Sequence, residues 1–309
     1  MTQSPENNAM AGHPWHARWA YFLAGLVVAL SWGTGIAAAA DDGPNLASVH
    51  AAVAPLEGSQ PIYRKNADVG VPIASVTKLM TALVVMESKQ PLDEWLTVVE
   101  RQKEPPNNAY TRIRVGSRLQ RGELLRLALI ASENMAAHVL ASHHPRGREG
   151  FVAAMNRTAK RLGMTQSEFV DPSGISSNNR ASASDLVRLV RAAHEHERIR
   201  GYTTDSYHRA HFRSPRYALA YGNTNPLVGR SSWGISLSKT GYLDEAGRCL
   251  AMVTRIEGQQ VIMVLLDSFG TRSPLGDAGR IKRWLRRGDP GRVAATARQY
   301  EQRRSAGHE

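Results

Sequence analysis

Residues 72–85 read PIASVTKLMTALVV, and at this stretch the chain changes from extended to helical character. Leu79, Met80, Leu83, Val84 and Val85 leave little room for a solvent-facing side, so the spacing predicts a helix buried on most of its surface. Ser75 and Lys78 stand three residues apart on its first turn, which puts both on one face within mutual reach. Burial lowers the pKa of a lysine, and a helix N-terminus favours negative charge developing beside it. A serine nucleophile with a neutral lysine as base needs both conditions. Taken alone, S-x-x-K recurs by chance on surface helices, but these neighbours do not describe a surface helix.

Outward from this helix, the two ends of the chain read as strands. Before it come ASVHAAVA (47–54), the connection PLEGSQ and PIYRKN (61–66), a hairpin pattern. Towards the other end, WGISLSKTG from Trp233, CLAMVTRI (249–256), the turn EGQQ and VIMVLLDS (261–268) repeat it with β-branched residues. The middle is helical: 75–90, 121–144, 148–163 and 182–197 all carry apolar residues at helical spacing, with Ser182 or Ser184 before Asp185 as a start and Gly163 as a stop. A last helix, AGRIKRWLRR (278–287), is expected to pack on the sheet. The fold class is therefore α+β: an antiparallel five-stranded sheet drawn from both chain ends and flanked by helices, plus a helical lobe over about residues 76–200. Residues 289–309 are polar and read as a loose basic tail.

Two further polar triplets interrupt apolar sequence. Ser132-Glu133-Asn134 separates LLRLALIA from MAAHVLA; a helix cap accounts for one polar residue there more easily than for three. The functional reading makes Ser132 a proton relay and Asn134 an amide that holds a substrate peptide group. Lys239-Thr240-Gly241 ends a strand-like run before Tyr242. On an extended strand Lys239 and Gly241 share a face, and Gly241 lets another backbone approach closely. Lys239 is suited to a carboxylate or a polarised carbonyl.

The 309 residues, 42% hydrophobic and 21% charged, are enough for real cores and exclude wholesale disorder. The single Cys249 excludes an internal disulfide and dithiol redox chemistry, and its place in a strand-like run reads as a small core residue. A net charge of +12 favours anionic surroundings, namely nucleic acid, membrane headgroups or an acidic wall polymer. Residues 21–40, YFLAGLVVALSWGTGIAAAA, follow Arg18 and end in small residues before Asp41, the pattern of a secretory signal peptide cleaved after Ala40. An uncleaved anchor and a start at Met10 are the alternatives there. Export removes genomic nucleic acid as a partner, and the segment 1–40, with one Arg and one Glu, leaves the charge on the mature protein.

In the order S-x-x-K, S-x-N, K-T-G, on a helix start, an interhelical loop and a strand, the three motifs resemble those of the penicillin-recognising serine acyltransferases. PIASVTKLMTALVV, SRLQRGELLRLALIASENMAAHVLA, FVDPSGIS and LSKTGYLDEAGRCLAM look most like the low-molecular-mass penicillin-binding proteins, in particular D-alanyl-D-alanine endopeptidases of the penicillin-binding protein 7 type, over roughly Leu46 to Arg287. His143-His144-Pro145-Arg146-Gly147 departs from that subgroup, which tends to have a tyrosine and a second glycine there. The resemblance implies a β-lactamase/transpeptidase-like fold over 41–288 and a periplasmic enzyme that needs no metal or other cofactor. Its partners are peptidoglycan stem peptides and cross-links and β-lactam antibiotics, with wall or inner-membrane contact through the basic tail a lesser expectation. It implies Ser75 as nucleophile, Lys78 as base and Ser132 as relay. Asn134, Thr240, Lys239 and Gly241 bind substrate, and the backbone N–H groups of Ser75 and Tyr242 form the oxyanion hole.

Other readings meet specific obstacles. A D-alanyl-D-alanine carboxypeptidase carries the same motifs, and pocket shape decides between the two. A serine β-lactamase needs a deacylating base, and no glutamate loop stands clearly ahead of Lys239. A non-catalytic wall-binding module would not be expected to keep complete motifs. His194-Glu195-His196-Glu197 has its histidines two apart, unlike the four-residue spacing that faces one metal.

Overall fold

The structure, a computed structural model, describes residues 43–101 and 110–306. The signal-peptide reading of 1–40 lies outside the described residues. Among the described residues no helix is long and apolar enough to cross a membrane.

The chain enters through strands β1 (Ser48–Pro55), β2 (Tyr63–Lys65) and β3 (Val71–Pro72), then a short 3-10 turn, Ala74–Thr77, that leads into α1 (Lys78–Glu87). Strands β4 (Trp95–Thr97) and β5 (Arg118–Gln120) precede helices α2 (Arg121–Ile130), α3 (Asn134–Ser142) and α4 (Gly147–Arg161). Strand β6 (Arg180–Ala181), α5 (Ala183–Glu195) and α6 (Glu197–Thr204) complete the lobe, and β7 (Tyr207–Phe212) and β8 (Tyr217–Gly222) form a hairpin beside it. The return to the sheet runs through β9 (Leu237–Leu243), β10 (Gly247–Ile256) and β11 (Gln259–Ser268), followed by α7 (Ser273–Arg287) and α8 (Ala295–Ala306).

The main sheet has the order β2-β1-β11-β10-β9, antiparallel throughout, so the five expected strands are present and come from both chain ends. Period-2 alternation divides their side chains between two cores. Ala52, Ala54, Ala251, Val253, Ile262 and Val264 pack with the helical lobe, including Leu79 and Leu83 of α1. Ala51, Val53, Leu250, Met252, Met263 and Leu265 face Ala278 and Ile281 of α7. Because both faces are covered, β10 and β11 read as near-continuous apolar runs, and each large side chain buried there stabilises by about 1.5–3 kcal/mol.

The expected helix starts and stops are mostly present. Ser182 caps α5 by accepting from the Asp185 N–H at 3.1 Å, and Gly163, at φ +70°, follows the end of α4. His194 lies 2.9 Å from Ser236 Oγ and His196 sits at the break between α5 and α6, so the two do not share a helix face.

The loose-tail expectation for 289–309 is corrected: residues 295–306 form α8, and the chain leading to it is docked. Asn45 donates its backbone N–H to Pro290 O at 2.9 Å and its amide to Gly291 O at 2.8 Å. Tyr300 Oη and Arg304 Nε converge on Asp267 at 2.5 and 2.7 Å, and Lys65 pairs with Glu301 at 2.8 Å. The sequence offers no apolar stripe there; what holds the helix is a buried carboxylate, 1% exposed, that recruits its polar side chains.

Candidate active site

The 3-10 turn brings Ser75 to the mouth of α1 at a backbone cost. Ala74 has φ +46°, a left-handed conformation that an L-residue holds only when its surroundings fix it. The loop after Asp171 does that fixing. Gly174 passes so close that a Cβ built on it would stand 2.0 Å from Ala74 O, and Thr77 Oγ1 donates to the same carbonyl at 2.7 Å. The loop in turn is wound around the Asp171 carboxylate. It accepts from the Ser173 and Gly174 N–H groups at 2.7 and 2.8 Å, from Ser173 Oγ at 2.7 Å and from the Ser176 N–H at 2.9 Å. Asn179 ties this loop to the helix start through Thr77 Oγ1 at 3.2 Å.

Lys78 is fully buried, and its Nζ lies 3.0 Å from Ser75 Oγ, 2.7 Å from Asn134 Oδ1 and 2.5 Å from Ser173 O. The last two partners only accept. A deprotonated amine therefore keeps two N–H donations and turns its lone pair to the Ser75 hydroxyl. Burial pushes the Lys78 ammonium down to about 7, against the opposing pull of Asp171 and Glu133; Arg101 lowers it further.

Ser132 stands between α2 and α3 at φ +58°, and its buried Oγ has no hydrogen-bond partner among the described residues. Such a hydroxyl is an exception among buried polar atoms and is free to take and pass a proton. The cap of α3 is Glu133, whose Oε1 accepts the Met135 N–H at 3.0 Å, so capping accounts for the middle residue of the triplet and leaves Ser132 and Asn134 to the site.

Strand β9 forms the facing wall. A Cβ on Gly241 would meet Ile73 O and Ser75 N, each at 3.0 Å, so only a glycine lets this strand lie against the serine. Thr240 Oγ1 bonds Thr224 Oγ1 at 2.7 Å, a partner on the segment after β8. Lys239 is 1% exposed and donates to Thr240 O at 2.9 Å. Burial, and then the nearby Lys78, hold its amine well below the usual lysine range. It lies beside Lys78 beneath the wall rather than among the residues on its surface.

Between these elements lies an open cleft of about 510 Å³, lined by Ser75, Ser132, Asn134, Thr240, Gly241 and Tyr242 among others. The sequence-selected residues thus meet at one place: six on the cleft surface, with Lys78 and Lys239 just beneath. Asp171, Asn179, Gly174 and Thr224 were not singled out from sequence. Asp171 to Gly174 spell a Pro/Gly turn, and nothing in a turn signal says that it braces a distant residue.

A family model described as D-alanyl-D-alanine carboxypeptidase (Peptidase_S11) matches residues 37–270. The chain is 42% identical over 259 residues to a D-alanyl-D-alanine endopeptidase of Pseudomonas aeruginosa, covering 84% of each, and 40% identical over 263 residues to one of Escherichia coli, covering 85% of each. Among solved structures it is similar to a Streptomyces DD-transpeptidase, with a TM-score of 0.72 and 25% identity over 79% of this chain and 98% of that one. An ampicillin-bound penicillin-binding protein of Listeria monocytogenes matches with a TM-score of 0.67 and 29% identity, over 77% and 98%.

Proposed function

Because the chain belongs to the D-alanyl-D-alanine carboxypeptidase family of peptidases, Peptidase_S11, we propose that it is a serine D,D-endopeptidase that hydrolyses D-Ala-containing cross-links of peptidoglycan through an acyl-enzyme on Ser75. The observation that carries this reading is the Lys78 amine held 3.0 Å from Ser75 Oγ inside an open cleft. Neutral Lys78 takes the hydroxyl proton as Ser75 Oγ attacks the carbonyl carbon of the penultimate D-Ala. The oxyanion forms against the backbone N–H groups of Ser75 and Tyr242, a reading supported by the close approach of the neighbouring Gly241 to Ser75 N. Ser132 passes the proton to the leaving amine, Asn134 and Thr240 orient the peptide, and water then releases the acyl group with Lys78 again as base.

The endopeptidase is favoured over the carboxypeptidase by the relatives: those at 40–42% identity carry the endopeptidase name, whereas carboxypeptidases of Bacillus subtilis and Streptomyces stand at 28%. A β-lactamase is disfavoured because Glu133, the one carboxylate lining the cleft among the described residues, is occupied in capping α3. Cross-linked wall lies outside the cytoplasm, so the reading includes export to the periplasm by segment 1–40.

Two measurements test the reading. Purified protein given a cross-linked muropeptide dimer and, separately, a monomeric pentapeptide should convert dimer to monomers. Release of terminal D-Ala from the pentapeptide alone would select the carboxypeptidase, and neither product would end the claim. Ser75→Ala should abolish covalent labelling by a fluorescent penicillin while the protein stays folded; persistent labelling would move the nucleophile elsewhere.

A further inference from the structure

Six arginines, Arg112, Arg114, Arg118, Arg209, Arg213 and Arg216, stand exposed around the β7–β8 hairpin and the segment entering β5. The two parts are one surface, because Arg118 and Arg213 exchange backbone hydrogen bonds at 2.8 and 3.0 Å. Three of the guanidiniums are carried on rings: Arg213 lies 3.8 Å from the Trp95 centroid, Arg114 4.8 Å from Tyr217 and Arg112 4.9 Å from Tyr221. Stacking fixes the plane of a guanidinium and reduces the entropy its donors lose on gripping a carboxylate.

Among the described residues none of the six is paired with a carboxylate. Acids on neighbouring elements are engaged elsewhere: Glu94 with Arg121, Glu123 with His208, and Asp205 with Arg126. So many like charges left together repel one another, and folding alone gives no reason to gather them. Between Trp95 and the hairpin tip the surface opens into a trough of about 540 Å³. Small residues keep it open, since Ala220 and Ala218 are the cross-strand partners of Arg209 and His211. At its other end the row reaches the cleft. Tyr110, two residues before Arg112, lines the cleft, and Thr224, just beyond β8, bonds Thr240 inside it.

We propose that this arginine row is a docking surface for the carboxylate-bearing peptidoglycan polymer, holding neighbouring stem peptides while one cross-link lies at Ser75. The inference rests on the peptidase reading and deepens it, because it makes the polymer rather than a soluble fragment the preferred substrate. Free carboxylates recurring along a cross-linked strand match exposed, ring-supported bidentate donors. An anionic bilayer matches less well: Trp95, Tyr217 and Tyr221 lie beneath the guanidiniums and do not project to enter it.

The test uses the full chain carrying Ser75→Ala, pelleted with purified sacculi at increasing salt. Binding should weaken as salt rises, and adding Arg209→Glu with Arg216→Glu should reduce it at least about tenfold. With Ser75 intact, the same pair should acylate with penicillin and cut a soluble dimer at the unaltered rate, yet solubilise sacculi far more slowly. If that pair fails to acylate and has therefore misfolded, Arg112→Glu with Arg114→Glu decides instead. Unchanged sacculus binding in a folded pair overturns the proposal, as does loss of binding to phosphatidylglycerol vesicles with sacculus binding intact. A chain that binds sacculi through these arginines but cuts no muropeptide defeats the peptidase reading and leaves the docking surface standing.

Discussion

An amine 3.0 Å from a serine hydroxyl is useless as a base while it holds its third proton, so the surroundings of Lys78 decide whether the site works. With burial bringing its pKa to about 7, half the molecules are competent at that pH and the fraction falls tenfold for each unit below. The rate of acylation by penicillin should therefore rise with pH through about 7 and level off above it, as read from initial labelling rates. A rate independent of pH across that range would remove Lys78 from the role. Lys78→Arg keeps a cation but no accessible neutral form, and should lower acylation by about 10²–10⁴-fold. The same shift has a stability consequence. The unfolded chain binds the Lys78 proton up to about 10.5 and the folded chain only to about 7, so this group makes stability increase as pH climbs between those values. Sequence disclosed this pair because a lysine at helical spacing from a serine, amid apolar neighbours, has a chemistry of its own. It did not disclose Asp171, whose part is to hold a loop that holds a carbonyl, a relation between segments that no local spacing encodes.

At the scale of elements, the site depends on how closely β9 lies against the turn that carries Ser75. A methyl group at residue 241 would press on Ile73 O and Ser75 N at 3.0 Å and on Ala74 Cβ at 3.1 Å, contacts that two backbones must separate to relieve. Gly241→Ala should leave the fold intact and reduce penicillin acylation by about 10–10²-fold, because displacement of a few tenths of an ångström spoils alignment before it spoils packing. Unchanged acylation alongside an unchanged melting temperature would mean that the strand does not set the geometry. Strands β1, β10 and β11 were legible because burial on both faces makes them largely apolar, and α5 because Ser182 caps it. The β7–β8 hairpin was not. Its outward positions are Tyr207, Arg209 and His211, only Ala210 and Phe212 of β7 are buried, and so alternation is carried by too few apolar residues to stand out from a polar connection.

Across the whole molecule, the last helix returns to the sheet and closes on the hairpin that carries the cleft wall. Asp267, at the end of β11, is 1% exposed and is held by Tyr300 Oη and Arg304 Nε of α8, while Arg304 also donates to Glu245 O in the β9–β10 turn. Arg304 thus links the C-terminal segment to the turn before Arg248 and Cys249, both of which line the cleft. Because its side chain is 29% exposed, water screens part of the interaction, and Arg304→Ala should destabilise by about 1–3 kcal/mol rather than by the full amount for an enclosed pair. For a domain of this size that corresponds to a fall in melting temperature of about 2–4 °C per kcal/mol. Most of the loss belongs to the carboxylate left behind, so Asp267→Asn in the same chain should recover part of it, which a mere loss of helix packing would not allow. The cycle of both single variants and the double, followed by thermal melting, reads that coupling directly. Additive effects would show that α8 is held by its other contacts and that its length of polar sequence only happens to lie against Asp267.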